Sequence, residues 1–338
     1  MEQMEHSEHV ELMEHLPATV REAFIQASLF LQQHQVMDSA ICAELLLGHL
    51  LSWDRTTLLM NWHEPFPEGC LGEWKELIQR KASGEPVQYI IGEQEFYGLT
   101  LHVNPNVLIP RPETEVLVEQ IIRRGREIWG ANGSEELDGT GIIEEKEEVA
   151  RTVRTERVRM EDKVPFVADI GSGSGAICVS LAVLCPEWTI TSSDLSHGAL
   201  GVARSNAARN GVEGQIVFYQ GDLLEPYIKT KQRIDILVSN PPYIPVGDLG
   251  QLQAEVKQYE PHLALDGGED GLDLYRRMID QMGLLPCYPS LVGFEVGQGQ
   301  DEAVARMLDN LHVWNQVVTI ADLAGIQRHV MAIGLRDC

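Results

Sequence analysis

Residues 164–194 narrow the fold more than any other stretch of this 338-residue chain. Val164-Pro165-Phe166-Val167-Ala168-Asp169-Ile170 is an apolar run of strand length, and Gly171-Ser172-Gly173-Ser174-Gly175 follows at once. Residues 176–184 are continuously apolar and of helix length, residues 188–193 read as a second strand, and Asp194 ends it. Strand, glycine turn, helix and strand make a βαβ unit, and such units build parallel sheets covered by helices. Glycines let the backbone turn sharply and approach a ligand closely. A helix that starts there offers free N–H groups to an anionic group. An acid at the end of the next strand suits the two hydroxyls of a ribose. The set points to a nucleoside-containing cofactor. It fits dinucleotide dehydrogenases only partly, because Ala176 stands where the six-residue fingerprint asks for a third glycine.

The alternation continues downstream. Residues 197–210 read as a helix closed by Gly211, and residues 215–220 as a third strand leading into Gly221-Asp222-Leu223-Leu224. Asp222 either accepts a hydrogen bond from an adenine amino group, with Leu223 beside the ring, or is an ordinary turn acid or helix cap. A helix over 272–282, a strand over 291–296, a helix over 301–311 and a final hairpin over 317–320 and 328–333 complete the pattern. Glu295, inside a strand, either faces a pocket or reaches solvent. The fold class predicted is α/β: a doubly wound, mostly parallel sheet with an antiparallel edge.

A second motif sits at the end of the fourth strand, Ile234-Asp235-Ile236-Leu237-Val238-Ser239, which runs into Asn240-Pro241-Pro242-Tyr243. Proline stops a strand for want of an N–H, and Pro241 pushes Asn240 toward an extended backbone. The result is a stiff loop at the carboxyl end of a strand, where open parallel sheets bind ligands. Asn240 brings an amide oxygen and an NH2, the Pro241 carbonyl is a second acceptor, and the Tyr243 ring can stack. Two acceptors side by side suit a planar –NH2 group. Gripping both hydrogens would orient an otherwise poor amide nucleophile and stabilise positive charge developing on its nitrogen. An Asn-Pro pair alone is a common turn starter. The whole tetrapeptide after an apolar strand resembles the signature of amino-group methyltransferases that use S-adenosylmethionine.

The amino-terminal part has a different character. Residues 1–15 are acidic and His-rich and read as a polar tail. Residues 16–85 read as a small helical bundle: Val20, Ala23, Phe24, Ala27, Leu29 and Leu31 recur mostly at helical steps, Asp38-Ser39 is a helix start, and 74–81 is a further helix. Residues 86–112 read as a β-hairpin connector, with Tyr89-Ile90-Ile91-Gly92 and residues 96–103 as its strands. Leu108-Ile109-Pro110-Arg111-Pro112-Glu113-Thr114-Glu115 opens a helix near Glu113, with acids suited to its first turn. Arg111 is either a positioned cation near a ligand or a rim arginine in a solvent salt bridge. The catalytic domain is expected over 113–338, with a charged, solvated insertion over 124–163.

Twenty-six Lys and Arg against 51 Asp and Glu leave a net charge of −25. That disfavours broad binding to nucleic-acid phosphates, which needs clustered cations. Six scattered cysteines without a Cys-x-x-Cys pair read as free thiols in a reducing compartment. Neither a secretory signal nor an apolar run of about 20 residues is present, so the expectation is a cytoplasmic protein off the membrane.

Together these residues resemble the PrmC/HemK family of peptide chain release factor N5-glutamine methyltransferases. The resemblance rests on residues 109–115, Asp169-Ile170-Gly171-Ser172-Gly173-Ser174-Gly175, Asn240-Pro241-Pro242-Tyr243, and Tyr259-Glu260-Pro261 with Ala264-Leu265. It implies a seven-stranded class I S-adenosylmethionine-dependent methyltransferase domain (Rossmann-like) behind a helical domain that helps recognise the substrate. It also implies methylation of the glutamine in Gly-Gly-Gln of class 1 release factors, and S-adenosylhomocysteine as product. By position, Asp169, Ile170, Gly171, Ser172 and Gly173 would hold the methionine part of the cofactor, Asp194 the ribose, and Asp222 and Leu223 the adenine. Arg111 and Asn240 would border the cofactor. Asn240, Pro241, Pro242 and Tyr243 would grip the glutamine amide, with Asn240, Pro241 and Tyr243 the catalytic set; no metal is implied. The insertion is longer than the family's usual connection, and Leu223 stands where some members carry an aromatic residue. Three rivals are a ribosomal-protein glutamine methyltransferase, a DNA adenine N6-methyltransferase, for which a basic DNA-reading region would be expected, and a methyltransferase-like binding protein without activity.

Overall fold

The computed structural model describes residues 16–130 and 164–335, in two compact units. The polar tail, Cys338 and residues 131–163 of the expected insertion lie outside the described residues.

The first unit is helical: α1 (Val20–Gln33), α2 (Ser39–Leu51), α3 (Arg55–Met60), α4 (Leu71–Ala82) and α5 (Val87–Ile91). Thr19 starts α1 by accepting the Glu22 N–H at 3.2 Å. Val20, Ala23, Ala27 and Leu31 form its buried stripe, whereas Leu29 is exposed. They pack with Leu46, Leu47, Trp74 and Ile78. The α2 start is where Asp38-Ser39 predicts it, but the Asp38 side chain makes no capping bond. Residues 251–260 also belong to this unit, whereas a continuous division of the chain is expected from the sequence. Lys81, buried on α4, donates to the Glu255 carboxylate at 2.7 Å and to the Glu85 carbonyl at 3.2 Å.

The expected strand over 89–92 is instead the short helix α5, which Pro86 precedes and Gly92 (φ 84) ends. Its apolar residues bury one face: Val87, Tyr89 and Ile90. The hairpin is displaced: β1 (Glu93–Phe96) and β2 (Leu99–His102) join through Tyr97 and Gly98, both at positive φ (50 and 74). Two consecutive left-handed residues are what a two-residue hairpin turn needs.

The second unit contains α6 (Pro112–Trp129), β3 (Phe166–Ile170), α7 (Ala176–Leu184), β4 (Thr189–Asp194), α8 (His197–Arg209), β5 (Ile216–Gln220), α9 (Glu225–Thr230) and β6 (Ile236–Ser239). After α10 (Ala254–Tyr259), part of the helical unit, come α11 (Asp273–Met282), β7 (Leu291–Glu295), α12 (Asp301–Asp309), β8 (Trp314–Ala321) and β9 (Gln327–Leu335). The insertion does not begin at residue 124, because α6 continues to Trp129. There Arg124 pairs with Glu127 at 2.9 Å, and a Cβ on Gly125 would strike the Trp188 ring. The local charges ride the end of a helix whose Ile122, Gly125 and Trp129 are buried.

Among the described residues the sheet has seven strands in the order β5-β4-β3-β6-β7-β9-β8. Pairings are parallel from β5 to β7, and antiparallel at the β7–β9 and β9–β8 edge. Side chains alternate between two cores. Val167, Ile236, Val238 and Leu291 meet α6 and α7 on one face, and Ala168, Leu237, Val292 and Phe294 meet α11 and α12 on the other.

Candidate active site

Register sets the site. Ile170 pairs with Ser193 on one side and Ser239 on the other, and Ser239 pairs with Phe294. The next residue of each strand therefore lies in one row at the carboxyl ends: Asp194, Gly171, Asn240, Glu295. Between β3 and β6 the strand order reverses, the place where such sheets bind ligands. The period of two turns Asp169, Ser192, Asp194, Asn240 and Glu295 toward the face that α6 and α7 cover.

On the β3–β4 side the backbone builds the site. Gly171, Gly173 and Gly175 take φ of 85, 51 and 84, conformations that disfavour side chains. A Cβ on Gly171 or Gly173 would meet nothing within 4 Å, so the space over the loop is open to a ligand. The Gly171 and Ser172 N–H groups donate to the Ser193 carbonyl at 2.8 and 3.0 Å. Ile170 is buried in the opposite core. Both oxygens of Asp194 accept backbone bonds, Oδ2 from Gly173 at 2.9 Å and Oδ1 from Ser196 at 2.8 Å. Burial raises its carboxyl nonetheless. Asp169 is 1% exposed; Ser192 Oγ donates to its Oδ2 at 2.9 Å, while Oδ1 has no hydrogen-bond partner. Burial pushes this carboxyl up to about 7. A buried acceptor left open beside an open glycine loop fits a cationic or N–H-bearing ligand.

Asp222 and Leu223 follow β5. Asp222 Oδ2 accepts from the Arg277 guanidinium in an ion pair, and Leu223 sits at φ 52 with its carbonyl accepting from Ser193 Oγ at 3.2 Å.

On the β6–β7 side, side chains build the site. Asn240 Nδ2 donates to Thr114 Oγ1 at 3.1 Å, and Thr114 Oγ1 donates to Glu295 Oε2 at 2.6 Å. Among the described residues, Asn240 Oδ1 and the Pro241 carbonyl accept no hydrogen bond. Glu295 is 2% exposed, which decides between pocket and solvent, and burial pushes its carboxyl up to about 7. Pro242 and Tyr243 are half-buried. The chain after them is laced to the 265–268 turn: Ile244 N–H donates to Leu265 at 3.1 Å, and Gly267 N–H to Ile244 at 2.9 Å. Gln300 Nε2 holds the Tyr243 carbonyl at 2.8 Å, and a Cβ on Gly297 would press on the Tyr243 ring at 3.1 Å. Burial pushes the Tyr243 phenol up to about 12, with Arg111 among the charges that act on it.

The structure thus gathers the glycine loop, Asp194, Asn240 and Glu295 into one row, with Asp169 two residues back along β3 beside Ser192, and adds Thr114 and Gln300. Thr114 had a sequence signal: it precedes Leu117, Val118 and Ile121 at helical steps, a hydroxyl on a stripe otherwise turned to the core. The five described cysteines are free, and only Cys287 is exposed. Among the described residues, no helix is long and apolar enough to cross a membrane.

Residues 22–92 match the PrmC N-terminal domain, and residues 156–265 match the methyltransferase small domain. A release factor glutamine methyltransferase of Bacillus cereus is 39% identical over 93% of this chain and 98% of its own length. Another so named, from Geobacter sulfurreducens, is 36% identical over 92% of this chain and 95% of its own. A solved structure, a human methyltransferase 10 domain containing protein, aligns at 14% identity over 77% of this chain and 97% of its own, with a TM-score of 0.46. That likeness is too loose to add to the strand order already seen. Near-full-length similarity above 30%, with both domain matches, shows that the chain belongs to the release factor glutamine methyltransferase family.

Proposed function

We propose that this enzyme transfers a methyl group from S-adenosylmethionine to the side-chain amide nitrogen of the glutamine in Gly-Gly-Gln of class 1 release factors. We assign it to the cytoplasm, where translation terminates. The observation that carries the reading is the row of strand ends. There Asn240 and Pro241 keep two acceptors open beside a glycine loop with an unpartnered buried carboxylate oxygen.

On this reading Asp169 Oδ1 takes the amino group of the cofactor, with Ile170 to Gly173 lining the methionine part. Asp194 keeps its loop bonds, and its remaining lone pairs accept the ribose hydroxyls, since a carboxylate has about four acceptor sites. Asp222 and Leu223 border the adenine, and Arg111 sits near the Tyr243 side of the site. The bound cofactor supplies a methyl carbon already activated on a sulfonium. Asn240 Oδ1 and the Pro241 carbonyl hold the two amide hydrogens of the substrate, while Pro242 and Tyr243 pack over the carboxamide. The amide nitrogen attacks the methyl carbon; the C–N bond forms as the C–S bond breaks, and the electron pair stays on sulfur. One N–H proton then leaves to water. Holding both N–H bonds orients the nitrogen and offsets its developing charge.

The test is transfer of labelled methyl to a purified release factor, wild type against a Gln-to-Ala change in Gly-Gly-Gln. Label on the wild type alone is expected. Label persisting on the altered factor would move the target elsewhere, and label only on a ribosomal protein or on DNA would favour those substrates.

A further inference from the structure

We propose that Thr114 and Glu295 form a positioning pair that dictates which edge of the Asn240 amide meets the substrate. The inference rests on the role given to Asn240 above and deepens it.

The reason is a count of protons. A threonine hydroxyl has one hydrogen to donate and two lone pairs. An ionised Glu295 can only accept, so the 2.6 Å contact consumes the Thr114 hydrogen. Toward Asn240 the hydroxyl then presents lone pairs only, and the 3.1 Å contact must be filled by Asn240 Nδ2. That fixes the carboxamide with Oδ1 pointing away from α6 as an acceptor, the form needed to grip an –NH2. If Glu295 takes up a proton, its O–H can donate to Thr114. The Thr114 hydrogen is then free to point at Asn240, and the amide is stable turned over, with Oδ1 on Thr114 and NH2 facing the substrate. Two NH2 groups then oppose each other and the grip is lost.

The surroundings suit a group that sets a polarity. Glu295 is 2% exposed and Thr114 4%, so water does not compete for either. Tyr275 Oη donates to the Glu295 carbonyl at 2.6 Å, pinning the strand end. Charged and titratable groups face the carboxyl from each side. Glu113 on α6 raises it, Arg328 lowers it, and Thr114 and Asn240 favour its ionised form. Tyr243 and Tyr275 feel its charge. His329 stands opposite it on β9, its Nε2 on the Glu113 carbonyl at 2.9 Å and its own affinity for a proton lowered by burial. Burial is the largest influence on Glu295 and brings its titration to about 7.

Single-turnover methyl transfer is measured from pH 5.5 to 8.5 with saturating S-adenosylmethionine and release factor, alongside cofactor affinity by calorimetry. In the wild type the rate should fall on the acid side, with a limb near 7. Thr114→Val should lower kcat about 10- to 100-fold, the cost of removing the hydroxyl that orients the half-buried Asn240 amide, with cofactor Kd unchanged within about twofold. Thr114→Ser, which keeps the hydroxyl, should restore most of the rate. Glu295→Gln can still accept from Thr114 through its amide oxygen but cannot titrate, so its acid limb should disappear. Asn240→Ala is run in parallel. If it leaves turnover intact, the role of Asn240 itself is wrong. If it abolishes turnover while Thr114→Val and Glu295→Gln keep wild-type kcat and the wild-type acid limb, only the pairing is wrong. The wild-type profile needs no variant to fold, and a flat one would also overturn the proposal.

Discussion

The two halves of the row at the carboxyl ends are built in different ways. Around β3 and β4 the site is backbone: three glycines at positive φ, amide groups on Ser193, and Asp194 closed over the loop by two N–H donors. Around β6 and β7 it is side chain on side chain, a chain of bonds from Asn240 to Thr114 to Glu295, residues 126 and 181 positions apart in the successive steps. On the function proposed above, the first half holds a cofactor that never varies, and a loop shaped by its own glycines suffices. On the same proposal the second presents one edge of an amide and not the other, and the bonds from Asn240 to Thr114 to Glu295 fix which.

Breaking the side-chain half should have the largest effect. Asn240→Ala is expected to lower turnover about 10²-fold or more, the scale for losing one positioned hydrogen-bonding group, with cofactor affinity nearly intact. Steady-state rates with calorimetry decide it, and a large loss of cofactor affinity would erase the distinction between the halves. Breaking the backbone half should act on binding and stability instead. Gly175→Ala forces a side chain into φ 84 with Ala203 3.2 Å from the new Cβ. The left-handed conformation alone costs about 1–2 kcal/mol, to be read as a lower melting temperature and weaker cofactor binding.

A subtler test uses the Asp169 carboxyl, raised by burial to about 7. An acid whose folded value lies above its unfolded value, about 4, binds its proton more tightly when folded. Stability without ligand should therefore fall as pH rises through the window from about 4 to 7. Asp169→Asn removes that contribution, so its urea midpoint should drop less between pH 4.5 and 7.5 than that of the wild type. Identical drops would mean that Asp169 is ionised throughout. Smallest of all is Arg277→Ala, which frees Asp222. Both partners are substantially exposed, at 46% and 36%, so stability should change by less than about 1 kcal/mol. A larger shift in thermal melting would make the pair structural rather than a rim contact.

The sequence determined the parts whose cause is local. A strand followed by five residues with three glycines can only turn, and prolines after Asn240 can only end a strand, so both loops and the alternation that makes a parallel sheet were legible. Local patterns misled where a distant contact or a cap outweighed them. Tyr89-Ile90-Ile91 has strand-like residues but folds as a helix between Pro86 and Gly92, which moves the hairpin turn to Tyr97-Gly98. Charges at 124–127 look solvated but ride a helix whose Gly125 lies against Trp188. Only the tertiary structure decided that residues 251–260 join the helical unit, and that Glu295 turns inward to meet Thr114. Backbone conformation is set by neighbours in the chain, whereas burial and the partner of a buried polar atom are set by register and helix packing across well over a hundred residues.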